Sequence, residues 1–330
     1  MSNLKSRRIP KPIWFGITVL LVVVPGVAFA VWLPIHRENV AIREIERSGG
    51  ELISFKFGPV YAVRFAVRAD ADEGVRHLSS LKDLRSLQLY NTKISDEALR
   101  DIGGLTNLYS LSLNGTMVSD DGLRHLAGLS NLQQLNLHDE QIGDEGLKHI
   151  SRLPNLRQLY LGSAQMSDEG LKHIGRLTKL ERLILNDTRI SDEGLRHLSG
   201  FTSLQWLDLN DTLISNDGLK QIGNLTKLDY LSLNTTKISD EGLRHLSALT
   251  NLQQLNLNNT PISDEGLKHI GSLTTLIWLH FDNTQVGDEG LKHLKNLNNL
   301  LTLTLTNTNV SEAGITEIRK ALPRCRDISY

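Results

Sequence analysis

Leucines recur along the chain in pairs one residue apart: Leu87/Leu89, Leu111/Leu113, Leu135/Leu137, Leu159/Leu161 and onward to Leu303/Leu305, with Leu279/Phe281 as a variant. The step is 24 residues, and a glycine series in the same register runs from Gly74 to Gly314 without an insertion, Ala98 filling the place once. A fixed period of this length marks an architecture of stacked units. Within a unit, LxxLxL alternates apolar and polar positions and predicts a short strand with its leucines turned inward. The following SDEGL predicts a helix start, with Ser or Asp as cap and acidic side chains in the first turn. Leu99, Ile102 and Leu105 then fall at three-residue steps, the spacing of a short helix or 3-10 segment. Each unit turns about seven apolar residues inward, each worth roughly 1.5–3 kcal/mol when buried. No unit buries them alone, so neighbours must stack.

Between strand and helix stands a threonine, at Thr92, Thr116, Thr188, Thr212, Thr236, Thr260, Thr284 and Thr308. An inward hydroxyl there is expected to bond to loop backbone on the next rung, because buried polar groups need partners. Glu140 and Ala164 break the series in consecutive units. The repeated glycine is expected where helix and strand layers crowd.

The unit, written LxxLxLxxTxISDEGLxxL, resembles a leucine-rich repeat, and the resemblance covers about Val63 to Leu322. It implies an α/β solenoid: a horseshoe with a parallel β-sheet on the concave face and short helices on the convex face. Residues 69–322 would form the solenoid and 323–330 a C-terminal cap.

The first residues follow another pattern. Residues 1–12 carry Lys5, Arg7, Arg8 and Lys11, and an apolar run fills 13–33, long enough for one bilayer crossing of about 20 residues. The basic side is expected to stay cytoplasmic, which exports the repeats. A secreted form cleaved near Ala30, where Ala28-Phe29-Ala30 suits a signal peptidase, is the alternative. Residues 34–68 read as a juxtamembrane helix ending at Gly49-Gly50, then two strands around Gly58-Pro59 that cap the first rung. This layout resembles membrane-anchored bacterial leucine-rich-repeat proteins of the planctomycete kind, which implies a binding protein on the periplasmic or extracellular side.

Charge and chemistry narrow the function. The net charge of −1 argues against a nucleic-acid partner, which calls for an unopposed basic stripe. Basic residues do recur on the helices, but an acid stands three positions earlier, as in Glu97–Arg100 and Glu145–Lys148, so the back reads as a charge-paired, solvated face. A lone cysteine, Cys325, excludes an internal disulfide, and no zinc spacing accompanies it. Eight histidines share one slot, from His77 to His293, yet identical side chains on successive rungs run parallel and do not converge on a metal. His138-Asp139-Glu140 breaks the local rule at Glu140 and is a candidate for that reason, but no catalytic motif stands beside it. The expectation is therefore no enzyme, no cofactor, no metal and no small-molecule substrate.

The positions that vary lie on the strands. The slot before the first paired leucine holds Arg182, Trp206, Tyr230 and Trp278, and the slot between the leucines holds Tyr160, Asp208 and His280. Tryptophan, tyrosine and arginine dominate binding hot spots, although strands favour aromatics in any case. These seven residues are the expected partner-binding set, for a protein or an envelope polymer on a wide surface with no obvious pocket. A structural spacer or self-associating envelope component is the other reading.

Overall fold

The computed structural model describes residues 33–54, 59–116, 118–138 and 141–330. The expected membrane segment, residues 13–33, lies outside them except for its last residue. Residues 33–47 are helical, and among the described residues no helix is long and apolar enough to cross a membrane. Gly49 turns the chain at φ 84° into the first strand, close against Ala69 and Ala66, where a side chain would be strained.

Among the described residues thirteen strands form one sheet in sequence order. The edge strand β1 (Gly50–Ser54) pairs antiparallel with β2 (Val60–Phe65), and every later pairing is parallel. Ten three-residue strands follow: β3 (Ser86–Gln88), β4 (Ser110–Ser112), β5 (Gln134–Asn136), β6 (Gln158–Tyr160), β7 (Arg182–Ile184), β8 (Trp206–Asp208), β9 (Tyr230–Ser232), β10 (Gln254–Asn256), β11 (Trp278–His280) and β12 (Thr302–Thr304). The last strand, β13 (Asp327–Ser329), pairs Ile328 with Leu303. The register advances by one repeat per strand, so Leu183 lies beside Leu207 and Leu207 beside Leu231. Each repeat position therefore becomes a column running the length of the solenoid.

The apolar columns form one continuous core, with the paired leucines from Leu87 to Leu303 at most 1% exposed. The threonine column is buried too, apart from half-buried Thr308 at its end, but its hydroxyls bond differently from the expectation. Thr188 Oγ1 donates to the carbonyl of Leu185 at 2.6 Å and Thr212 Oγ1 to that of Leu209 at 2.7 Å, each within its own repeat. The reason is the turn between them, which brings the hydroxyl back over the carbonyl three residues earlier. That turn passes through a left-handed residue, Asp187 (φ 57°) or Asp211 (φ 53°), a conformation Asn, Asp and Gly adopt most easily.

Rungs are joined along the flank by the residue that opens each convex helix from Asp72 to Asp288, an aspartate except at Asn216. Asp192 accepts from the backbone N–H of Ser215 at 2.7 Å and from its hydroxyl at 2.5 Å, and Asp168 holds Ser191 in the same way. The repeated glycine makes room for this contact in most repeats, where a Cβ at Gly266 would come within 2.5 Å of Asp240 Oδ1, and crowds a strand residue at Gly74, where a Cβ would lie 2.6 Å from the Phe65 ring.

The convex segments alternate. Repeats reading K-x-I-G, such as Asn216–Ile222 and Asp264–Ile270, hold seven-residue α-helices. Repeats reading [RK]-H-L, such as Asp240–Leu243, turn into a 3-10 segment, here Arg244–Leu246. The glycine after the isoleucine lets the next repeat approach: a Cβ at Gly223 would lie 2.7 Å from the carbonyl oxygen of His245. Two seven-residue helices, Asp144–Ile150 and Asp168–Ile174, come in succession and break the alternation. The expected salt bridges lie on this back, as in Glu241–Arg244 at 3.1 Å and Glu145–Lys148 at 3.1 Å, with mostly exposed partners. Such exposed pairs neutralise the surface and add little stability.

Candidate functional site: the concave groove

The sheet gives each strand two outward positions on either side of an inward leucine, so two columns of side chains line the concave face. The column before the leucine carries Gln158, Arg182, Trp206, Tyr230, Gln254 and Trp278 on β6 through β11. Trp206 and Tyr230 lie on adjacent rungs and stack face to face, with centroids 3.5 Å apart and planes 6° from parallel. The Arg182 guanidinium covers the Trp206 ring from the preceding rung, 4.1 Å from its centroid. Offset or stacked aromatic pairs and cation–π contacts are each worth about 1 kcal/mol.

Beside this column run the residues just before the strands, Glu181, Gln205, Asp229 and Gln253. Together the two columns enclose a groove of about 250 Å³ that extends from Gln158 to Trp278. A surface without a pocket was expected; the bulk of three neighbouring large side chains raises a wall and creates one. Glu181 forms an ion pair with Arg157. Asp229 is half-buried, and that burial pushes its carboxyl up, against the opposing pull of Arg182.

Four of the expected site residues, Arg182, Trp206, Tyr230 and Trp278, therefore meet in one groove. Trp206 and Tyr230 are half-buried by each other, whereas Trp278 is 39% exposed. The other three are not brought to it. Tyr160 turns its hydroxyl to Gln158 Oε1 at 3.0 Å. Asp208 accepts from the backbone N–H of Asn210 at 3.0 Å, and burial pushes its carboxyl up. His280 Nδ1 lies 3.3 Å from Thr304 Oγ1, and burial pushes its imidazole down. These belong to the column between the leucines, on the other side of the strand centre line.

Sequence reasoning missed Glu181, Gln205, Asp229 and Gln253, and did not choose Gln158 and Gln254 from the slot that it read. The signal was available: the position before each strand stays in register and changes type, as the chosen slots do. Of the remaining candidates, His138 donates its backbone N–H to Asn136 Oδ1 at 3.0 Å, while Asp139 and Glu140 lie outside the described residues. Among the described residues no group of three His, Cys, Asp or Glu is arranged to hold a metal. Cys325 is buried at the C-terminal end, where burial pushes its thiol up to about 11, so it is a poor nucleophile.

Comparison with known proteins agrees with this architecture. A family model for a leucine-rich repeat region matches residues 189–322, and a leucine-rich repeat model matches 152–175 and 176–199. Neither describes an enzyme. The crystal structure of an internalin (inlF) from Listeria monocytogenes shares the fold, with a TM-score of 0.64 at 23% identity over 82% of this chain and 86% of that one. Internalin C2 from the same organism gives a TM-score of 0.52 at 30% identity, over 64% of this chain and 84% of that one. No curated protein matches the sequence. A single 13-stranded solenoid sheet, the 24-residue register and these matches lead to one conclusion: the chain belongs to the leucine-rich-repeat proteins.

Proposed function

We propose that this protein is a non-catalytic interaction module that binds a macromolecular partner, a protein or an envelope polymer, through its concave face. The observation that carries the reading is the groove itself. The scaffold columns repeat with little change, yet on five adjacent rungs the outward column changes to Arg182, Trp206, Tyr230, Gln254 and Trp278. Aromatic and arginine side chains on a rigid sheet supply contact area at small entropic cost. The apolar run at 13–33 supports a membrane anchor with a cytoplasmic N-terminus and exported repeats, residues 34–68 serving as spacer and N-terminal cap. Cleavage near Ala30 would leave the same module secreted.

One observation favours the spacer reading: Arg182, Trp206 and Tyr230 satisfy one another, as side chains that only stiffen a sheet would. The two readings separate in a capture experiment. The full-length chain, immobilised from mild detergent, is exposed to the native envelope fraction beside a folded Trp206→Ser/Trp278→Ser variant. Retention of a partner by the wild type alone supports the concave-face reading. Equal retention by both shifts function to the solenoid's length and back, where removing whole repeats would then matter.

A further inference from the structure

Two aromatic side chains of the groove, Tyr230 and Trp278, stand two rungs apart and bound a slot over Gln254. Tyr230 has Trp206 stacked on one face. On the other side the next rung carries Gln254, and the next aromatic, Trp278, stands one rung beyond. Rungs are about 4.8 Å apart, so the Tyr230 and Trp278 backbones are separated by roughly 9.6 Å. Two van der Waals contacts of about 3.5–4.0 Å fill most of that span. The slot over Gln254 therefore admits one flat layer.

Its electrostatics select the kind of layer. Asp229 borders Tyr230 and is half-buried. Among the described residues no side chain donates a hydrogen bond to its carboxylate, and Arg182 acts on it only through space. Glu181, by contrast, already has Arg157. Aromatic faces carry negative quadrupole potential, so a groove that holds such faces together with the Asp229 carboxylate repels anions and attracts cations. The amide oxygens of Gln253 and Gln254 add acceptors along the same wall. A planar cation with several N–H donors answers all three demands, and the molecule uses the same solution at the opposite end of the stack, where Arg182 lies on Trp206. Beyond the slot, half-buried Ile277 and the 42% exposed Leu301 continue the surface as adjacent apolar positions. That continuation suits a polypeptide better than an isolated cation.

We propose that the groove binds an arginine side chain of a partner polypeptide, its guanidinium clamped over Gln254 between Tyr230 and Trp278 and paired with Asp229. This rests on the concave-face reading above and names the chemistry of its partner. A neutral saccharide would use the rings and the amides but would leave the Asp229 carboxylate without a directly bonded cation.

The test titrates the full-length chain with an N-acetylated Gly-Arg-Leu-Gly amide peptide and with its citrulline analogue, which keeps the shape and removes the charge. Calorimetry reads the binding, with chitotetraose as the neutral probe. The arginine peptide is expected to saturate the protein, the citrulline peptide to bind at least tenfold more weakly, and chitotetraose not to bind. Asp229→Asn, isosteric and therefore mild for folding, is expected to weaken the arginine peptide at least tenfold, and Trp278→Ser to do the same at an unchanged melting temperature. Equal binding of the citrulline peptide, indifference to Asp229→Asn, preference for the saccharide, or no saturation at millimolar peptide would each overturn the proposal. Envelope capture separates the arginine clamp from the reading beneath it. If capture survives Asp229→Asn but is lost in the tryptophan double variant, the concave-face reading stands and the arginine clamp falls. If neither variant changes capture, both fall.

Discussion

Trp206 and Leu207 are neighbours in the chain, yet they belong to different regions of the molecule. Leu207 points into a core where the ten rungs from Leu87 to Leu303 supply a leucine at the same place, and it is fully buried between Leu183 and Leu231. Trp206 points out to a face where successive rungs carry Arg, Trp, Tyr, Gln and Trp. The core side varies little, with exceptions such as Phe281, because each side chain packs against near-copies of itself and a change of volume has few compensating neighbours. The concave side is free to vary, because solvent or a partner fills whatever space a rung leaves. When several neighbours on that side enlarge together, as Arg182, Trp206 and Tyr230 do, they order one another and make a groove.

Substitutions at three positions probe that difference, and the core should give the largest effect. Leu207→Ala removes a fully buried side chain and should destabilise the solenoid by about 3 kcal/mol, read as a lowered midpoint in urea. If unfolding stays within about 0.5 kcal/mol of wild type, the rungs repack more freely than a close-packed core allows.

The flank comes next. Asp192→Ala strips two hydrogen bonds from Ser215 and should cost about 2 kcal/mol, with the concave face untouched and partner binding unchanged. Asp192→Asn should be much milder, because Asn216 already serves the next rung. Its Oδ1 accepts from the Ser239 N–H at 2.9 Å and its Nδ2 donates to Ser239 Oγ at 2.7 Å. Similar losses for both variants would show that the carboxylate charge, and not the bonding pattern, holds the rungs.

The smallest effect should have the opposite sign. Asp208 is raised above the ordinary carboxylate range chiefly by burial, so its charged form is disfavoured in the folded chain. Asn136 and Asn256 occupy the same register and accept the same backbone bond, from His138 and Asn258, at 3.0 Å each. Asp208→Asn should therefore stabilise the protein at pH 7, read as a raised melting temperature. The sign follows from the direction of the shift. Below the unfolded-state pKa the carboxyl is neutral folded and unfolded, so it differs little from an amide. As pH rises through the raised folded value, the aspartate must ionise in a poorly solvated place and the amide gains its advantage. Melting curves for both proteins from pH 3 to 8 check this, and a gap that widens toward acid would refute it.

Much of this was legible in the sequence because one repeat states every local preference ten times over. The strand leucines, the capping serines and the glycine column each follow from their spacing. Contacts between repeats stayed hidden in that spacing. The aspartate of SDEGL reads as a helix-dipole residue, but its oxygens reach the serine of the next rung. The hydroxyl of Thr188 reads as an inter-rung bond, but a left-handed residue at Asp187 folds it back onto Leu185. The alternation of α and 3-10 backs is written in Ile-Gly against Leu-Ser, yet its reason is the approach of His245 to Gly223.

The candidate site divides the same way. Trp206, Tyr230 and Trp278 stand out in the sequence because aromatics are few and fall in one slot. Asp229 does not, since one more acid in a chain with 37 of them carries no signal until its surroundings are known. The sequence by itself determined the period, the core and the column to which each residue belongs, because those depend on spacing along the chain. The tertiary structure alone decided which rings touch, which carboxylate meets no side-chain donor among the described residues and where the surface sinks into a groove. Those depend on distances between residues 24 and 48 positions apart, which only the stacking of rungs sets.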